Sequence, residues 1–206
     1  MTKNIDTIIF DLGGVLLDWN PKYLYSKVFE GDTEKMEWFL REVCTADWNI
    51  EQDAGRTIAE ATDLLVREFP EYEEWIALYY TRWEEMIRGT IPGTVEILNQ
   101  LKKIGHYRLY ALTNWSHETF PVAREKYDFL KHFEGIVVSG EEKTRKPFDD
   151  IYEILLSRYE IIPGKALFID DNPENVAGAK KAGIHAVQFH SPSGLIQDLK
   201  RHNIHF

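Results

Sequence analysis

Five short apolar runs punctuate the chain: Ile5–Phe10, Arg108–Leu112, Gly135–Val138, Ala166–Ile169 and Ala186–Phe189. They are rich in β-branched and aromatic residues and too short for ordinary helices, so they predict buried strands. Between the later runs the period lengthens to that of a helix. Thr94–Ile104 places Val95, Leu98, Leu101 and Ile104 on one face, and Phe148–Tyr159 does the same with Ile151, Ile154 and Leu155. Strands alternating with helices predict βαβ crossovers, and hence an α/β fold. Its core is a three-layer α/β/α arrangement around a Rossmann-like parallel sheet. In such sheets ligands collect beyond the carboxyl ends of the strands.

One segment breaks the rhythm. From Asn20 to Gly89 there is no good strand, and Trp, Tyr, Phe, Glu and Arg recur at helical spacing. Gly31-Asp32-Thr33-Glu34, Asp53-Ala54-Gly55 and Phe69-Pro70-Glu71 read as helix boundaries. This predicts an inserted helical-bundle cap over residues 20–89, with residues 1–19 and 90–206 forming the core. Ile91-Pro92-Gly93 marks the return. An insertion at the carboxyl end of a strand lies over the expected site, where it can act as a lid. Its aromatics, Trp38, Trp48, Trp75, Tyr79, Tyr80 and Trp83, read first as bundle core. Trp48 and Glu51, close to a glycine, are the pair most suited to touching a substrate.

Composition narrows the function classes. Of 206 residues, 44% are hydrophobic and 28% charged, near globular averages, which argues against disorder. No apolar stretch approaches the roughly 20 residues of a bilayer span, so no membrane partner is expected. The start MTKNIDTIIF enters a strand directly, leaving no room for a signal peptide, and the lone Cys44 gives no sign of secretion. A cytoplasmic location is the expectation. The net charge of -10 argues against a nucleic-acid partner. It also means that an anionic substrate would need a local positive centre, from a metal ion or from placed lysines.

Four strand ends carry candidate chemistry. Asp11 closes the first run and is followed by Gly13-Gly14, a pair that permits a tight turn or a close backbone approach. Leu109–Leu112 runs into Thr113-Asn114. The third run leads to Lys146-Pro147, where Pro147 suits the first turn of the next helix and places Lys146 at the junction. The fourth ends in Asp170-Asp171-Asn172-Pro173-Glu174-Asn175. Each alone could be a cap or a solvated loop. Adjacent carboxylates at the end of an apolar strand repel each other and lose hydration, and a divalent cation shared with a third carboxylate relieves both problems. Capping by Asp171 or Asn172 is the competing explanation. Four such ends on one sheet point to a single site.

In order and wording, FDLGGV, LTNW, RKP and FIDDNPEN resemble the four signature motifs of the haloacid dehalogenase superfamily. The similarity covers Ile5 to about Phe189. Within that superfamily the chain looks most like the sugar-phosphate phosphatases and the amino-terminal phosphatase domains of soluble epoxide hydrolases. The resemblance implies a Mg²⁺-dependent phosphatase acting through an aspartyl-phosphate on a small phosphorylated metabolite, with a sugar phosphate as the candidate. Asp11 would be the nucleophile. Asp11, the Gly13 carbonyl and Asp171 would hold Mg²⁺, with Asp170 a more distant or water-mediated partner. Thr113 and the Asn114 N–H would hold phosphoryl oxygens, Lys146 would offset charge in the transition state, and Asn175 would orient the cluster.

The chain departs from that pattern at Gly13, where most phosphatases of the superfamily carry the aspartate that protonates the leaving group. Three readings stay open: another group does the proton work, the leaving group needs little help, or activity has been lost and a phosphometabolite-binding or regulatory protein remains. The sugar-phosphate branch itself contains sequences with glycine at this position. Asp18, His117, Glu51 and Asp53 are the candidate substitutes. A 2-haloacid dehalogenase also lacks that aspartate, but its relatives carry Ser and Asn where this chain has Asp170-Asp171.

Overall fold

The computed structural model describes residues 5–205; Met1–Asn4 and Phe206, which the expected core included, lie outside them. The chain opens with β1 (Thr7–Phe10) and β2 (Leu17–Trp19). Five helices follow: α1 (Lys22–Val28), α2 (Thr33–Glu42), α3 (Ala46–Asp53), α4 (Ile58–Glu68) and α5 (Glu73–Thr81). It returns through β3 (Ile87–Thr90), α6 (Pro92–Ile104), β4 (Arg108–Thr113) and α7 (Phe120–Lys126). Then come β5 (Gly135–Val138), α8 (Ser139–Glu142), α9 (Asp149–Arg158) and β6 (Ala166–Asp170). The last elements are α10 (Pro173–Lys181), β7 (His185–Gln188) and α11 (Pro192–Arg201).

Five strands pair in the order β5-β4-β1-β6-β7, and every pairing is parallel. The strands are apolar nearly throughout because helices cover both faces. Alternation along β1 shows the division: Ile8 and Phe10 pack with Leu98, Leu101, Leu195 and Leu199. Ile9 points the other way, into Tyr152, Leu155, Phe168 and Val176. The expected strands are all present, β5 with the expected ends and the others with shifted ones. β4 and β6 each run one residue further, to Thr113 and Asp170, and β7 stops before Phe189.

Three local expectations need correction. Helix α6 buries Thr94, Ile97, Leu98 and Leu101, while Ile104 is 47% exposed at the helix end, just before the left-handed Gly105. Pro147 lies outside α9, which begins at Asp149 after Phe148; the Lys146–Pro147 peptide is cis. Within 20–89 there is a strand after all. β3 pairs antiparallel with β2, joining both ends of the helical segment to the core. Its Ile-Arg-Gly-Thr has no alternating pattern to announce it, and its partner lies on the far side of five helices.

Helices α1–α5 gather their own apolar cluster, including Tyr25, Phe29, Phe39, Leu65, Ile76 and Tyr79. Asp32, Thr45 and Thr57 cap α2, α3 and α4 by accepting from Lys35, Trp48 and Glu60 backbone N–H groups. Of these caps, Asp32 falls within the Gly31–Glu34 boundary legible in the sequence; Thr45 and Thr57 fall outside the boundaries read there.

Candidate active site

The carboxyl ends of β1, β4 and β6 converge on one buried charge cluster. Asp11 follows β1 directly, and its N–H continues the ladder to Ile169 O at 2.8 Å. Its Oδ1 accepts from Leu12 N at 2.7 Å and pairs with Lys146 Nζ at 2.9 Å. Lys146 Nζ also donates to Asp170 Oδ2 at 2.6 Å and to Leu112 O at 3.0 Å, so its three protons are all used. Asn175 Nδ2 reaches both oxygens of Asp170 at 3.1 Å, and Asn172 N donates to Oδ1 at 2.8 Å.

Asn114 has a function that sequence reasoning missed. Its side chain pins the loop that carries the lysine: Nδ2 donates to Lys146 O at 3.0 Å and Oδ1 accepts from Lys146 N at 2.9 Å. This two-way clamp sets the depth at which the ammonium enters the cluster. An amide carries a donor and an acceptor side by side, which suits both backbone groups at once, and that was the available signal.

Burial dominates the proton affinities here. It pushes the Asp11 carboxyl up to about 7 against the pull of Lys146, with Asp170 adding repulsion. Burial alone would lower Lys146, but Asp11 and Asp170 outweigh it and hold the ammonium charged. Asp171 is raised by burial and by its neighbour Asp170.

Asp11, Asp170 and Asp171 each present an oxygen within 4.8 Å of the others. Because Asp170 is wholly enclosed by its donors, Asp11 and Asp171 are the two carboxylates that face outward. Asn172, and not Asp171, caps α10 by accepting from Glu174 N at 2.8 Å. Asp171 lies instead against the backbone of Gly14: a Cβ there would stand 2.3 Å from Asp171 Oδ2, and Gly14 has φ +72°. Gly13 differs. Its φ is not in the left-handed region, and a Cβ would meet nothing within 4 Å.

Above the cluster lies a cavity of about 510 Å³. Asp11, Gly13 and Asp171 line its floor, and Trp19, Asp53, Tyr79, Tyr80, Trp83 and Trp115 stand among its walls. Thr113 and Lys146, each 1% exposed, are beneath that floor and outside its lining. Of the four candidate substitutes, Asp53 lines the cavity and the others do not. Asp18 is occupied by Tyr23 OH at 2.8 Å. Nor do Trp48 and Glu51 reach it: Trp48 packs edge-on against Tyr79 and donates to Ala61 O at 3.2 Å. Of the aromatics that do reach it, Tyr79 and Tyr80 also belong to the bundle cluster, as expected, while Trp83 packs against the sheet core.

Residues 5–183 match the family described as haloacid dehalogenase-like hydrolase. This chain belongs to that family. It is a hydrolase with the charged strand ends that the four motifs anticipate. Among curated relatives, a sesquiterpene phosphatase of Aspergillus oryzae is 28% identical over 190 residues, covering 89% of each chain. A phosphorylated carbohydrates phosphatase of Thermotoga maritima is 24% identical, covering 89% of this chain and 84% of its own. Among solved structures, a HAD family enzyme of Bacteroides thetaiotaomicron, in complex with magnesium and inorganic phosphate, shares the fold. Its TM-score is 0.68 at 21% identity, covering 91% of this chain and 96% of that one. No helix among the described residues is long and apolar enough to cross a membrane.

Proposed function

We propose that this hydrolase is a Mg²⁺-dependent phosphatase that cleaves a small phosphate monoester through an aspartyl-phosphate. One observation carries the reading: Lys146 is locked between Asp11 and Asp170 while Asp11 and Asp171 remain turned to the cavity. The donor set fits a hard divalent cation, being carboxylate oxygens close together at the end of an apolar sheet. Asp11, Asp171 and the Gly13 carbonyl would hold it, and when bound it would neutralise phosphate charge beside the nucleophile.

The chain's own residues supply the rest. Asp11 Oδ2 has no protein partner among the described residues, so it is free to attack phosphorus while Oδ1 is held by Lys146 and Leu12 N. Lys146 acts through Asp11: it opposes the rise that burial imposes on the carboxyl and fixes its direction. Asn114 and Asn175 hold the two partners of that pair in place.

The cavity bears on the substrate. Its lining holds no Lys, Arg or His among the described residues, so a second anionic group would meet no counter-charge. Several of its polar side chains are already engaged: Asn49 accepts from Tyr80 OH, and Thr119 from Trp115 Nε1. This favours a monoester with an uncharged body that stacks on aromatic rings. A sugar phosphate is the first substrate to test, and a sesquiterpene phosphate, given the Aspergillus relative, the second.

The direct test is hydrolysis of p-nitrophenyl phosphate with Mg²⁺, with EDTA, and after Mg²⁺ is restored. Activity should disappear and return, and Asp11→Asn should lower it at least about 10³-fold. Metal-indifferent turnover would refute the Mg²⁺ reading, and an active Asp11→Asn the nucleophile. Gly13 favours a second reading, a phosphometabolite-binding protein without turnover, and the same assay separates the two.

A further inference from the structure

We propose that Asp53, carried by the helical segment, is the proton donor and acceptor that the core lacks at position 13. The proposal rests on the phosphatase reading above. Five titratable side chains line the cavity among the described residues: Asp11, Asp53, Tyr79, Tyr80 and Asp171. Asp11 and Asp171 are committed to attack and to the metal. Tyr80 donates its hydroxyl to Asn49 at 2.9 Å, and burial holds the Tyr79 phenol well above its ordinary value, so neither releases a proton readily near neutrality. Asp53 remains.

Its placement is built, not incidental. Asp53 is the last residue of α3, and a polar knot fixes that end of the helix. The fully buried Gln52 donates to Trp48 O at 2.8 Å, while Arg56 donates to Gln52 Oε1 at 2.8 Å and to Trp48 O at 2.9 Å. Beyond it, Gly55 takes φ +99°, and a Cβ there would lie 3.2 Å from Gly140 O and 3.1 Å from Lys143 Cγ. The α3 turn is thereby seated on the core loop that leads to Lys146. The Asp53 carboxyl itself has no hydrogen bond or ion pair among the described residues, which leaves it available to a ligand. Arg145 and Lys146 face it from the core, and Tyr79 and Tyr80 from α5. Burial pushes it up to about 7, against the pull of the two cations. A carboxyl in that range can both give and take a proton at neutral pH.

The proton balance closes on this residue. In the first step an Asp11 oxygen bonds to phosphorus, the ester P–O bond breaks, and the Asp53 proton passes to the departing oxygen to form the alcohol. In the second, water attacks the aspartyl-phosphate and gives a proton to Asp53, and the bond to Asp11 breaks. Inorganic phosphate leaves, and both carboxyls regain their starting states.

The experiment compares wild type and Asp53→Asn, with Mg²⁺, on p-nitrophenyl phosphate, phenyl phosphate and an alkyl phosphate. The probes differ in how much the leaving oxygen needs a proton. Asp53→Asn is expected to lose about 100-fold or more in kcat/KM on the alkyl phosphate and less than about tenfold on p-nitrophenyl phosphate. Adding Gly13→Asp to Asp53→Asn should restore at least about tenfold on the alkyl phosphate, since that position has room for a side chain. A purely structural role would depress all three substrates alike. Equal losses, or none, would overturn the proposal and leave the phosphatase reading standing; a wild type that hydrolyses none of the three would overturn both.

Discussion

Asp170, buried outside the cavity lining, and Asp53, within that lining, live under opposite conditions. Asp170, 0% exposed at the end of β6, is enclosed by Lys146, Asn172 and Asn175. Asp53 has no such partner among the described residues, and its surroundings are the aromatic edge of a helical cluster. The strand ends build a network in which Lys146 and Asp170 have all their partners, and such a network is rigid. The helical side is held by rings, such as Phe29 against Trp75 with centroids 4.8 Å apart, and leaves one carboxyl uncompensated. A fixed nucleophile and a labile proton ask for these two environments respectively.

The largest effect should come from breaking the satisfied side. Lys146→Met removes the charge between Asp11 and Asp170 and leaves two buried carboxylates facing each other. Losing one partner of a buried pair costs about 3–5 kcal/mol. Urea denaturation at pH 8 should show a destabilisation of that size. It should shrink at pH 4, where the raised Asp11 carboxyl takes up a proton. Phosphatase activity should fall at least about 10³-fold, because Asp11 loses both its orientation and its ionisation. A variant as stable as wild type at pH 8 would mean that the lysine is not what reconciles the two carboxylates.

A smaller effect separates the two adjacent glycines. Gly14→Ala must place a Cβ at 2.3 Å from Asp171 Oδ2 with φ +72°, so it should displace that carboxylate. The half-saturating Mg²⁺ concentration should rise by about 10–100-fold, the range for disturbing a ligand's support. Gly13→Ala meets nothing within 4 Å and should leave it within about threefold. Equal effects at both positions, read from metal titrations of activity, would show that the close contact at Gly14 does not matter.

The same contrast explains what was legible in the sequence. Asp11, Asp170 and Asp171 could be found because a buried parallel strand ends abruptly, and a charge at that end stands out against an apolar run; Lys146 lies beyond β5 and α8 and is marked only by its place before Pro147 and in the motif order. The order of the motifs supplied the rest. In the sequence Asp53 is one candidate among four, since a carboxylate at a helix end beside a glycine looks like any boundary. Choosing it over Glu51 needs the packing of Gln52 and Arg56 that turns one toward the cavity and the other away. β3 was missed for a related reason: five helices separate it in sequence from its partner β2.

The smallest effect concerns stability. Asp53 has a raised carboxyl pKa, about 7 against 3.8 for the ordinary side chain. Below 3.8 both the folded and unfolded chains keep its proton, so it makes no difference there. As pH rises through the window from 3.8 to 7, the unfolded chain releases the proton first, and folding stability falls. Asn carries no such proton, so Asp53→Asn should be more stable than wild type at pH 8 by about 1–2 kcal/mol, discounted for the group's partial exposure to the cavity. In a chain of this size that raises Tm by about 3–6 °C, and the gain should vanish at pH 4. Thermal unfolding at the two pH values checks it. A gain that is the same at both would trace to packing, and the uncompensated carboxyl would lose its place in the comparison with Asp170.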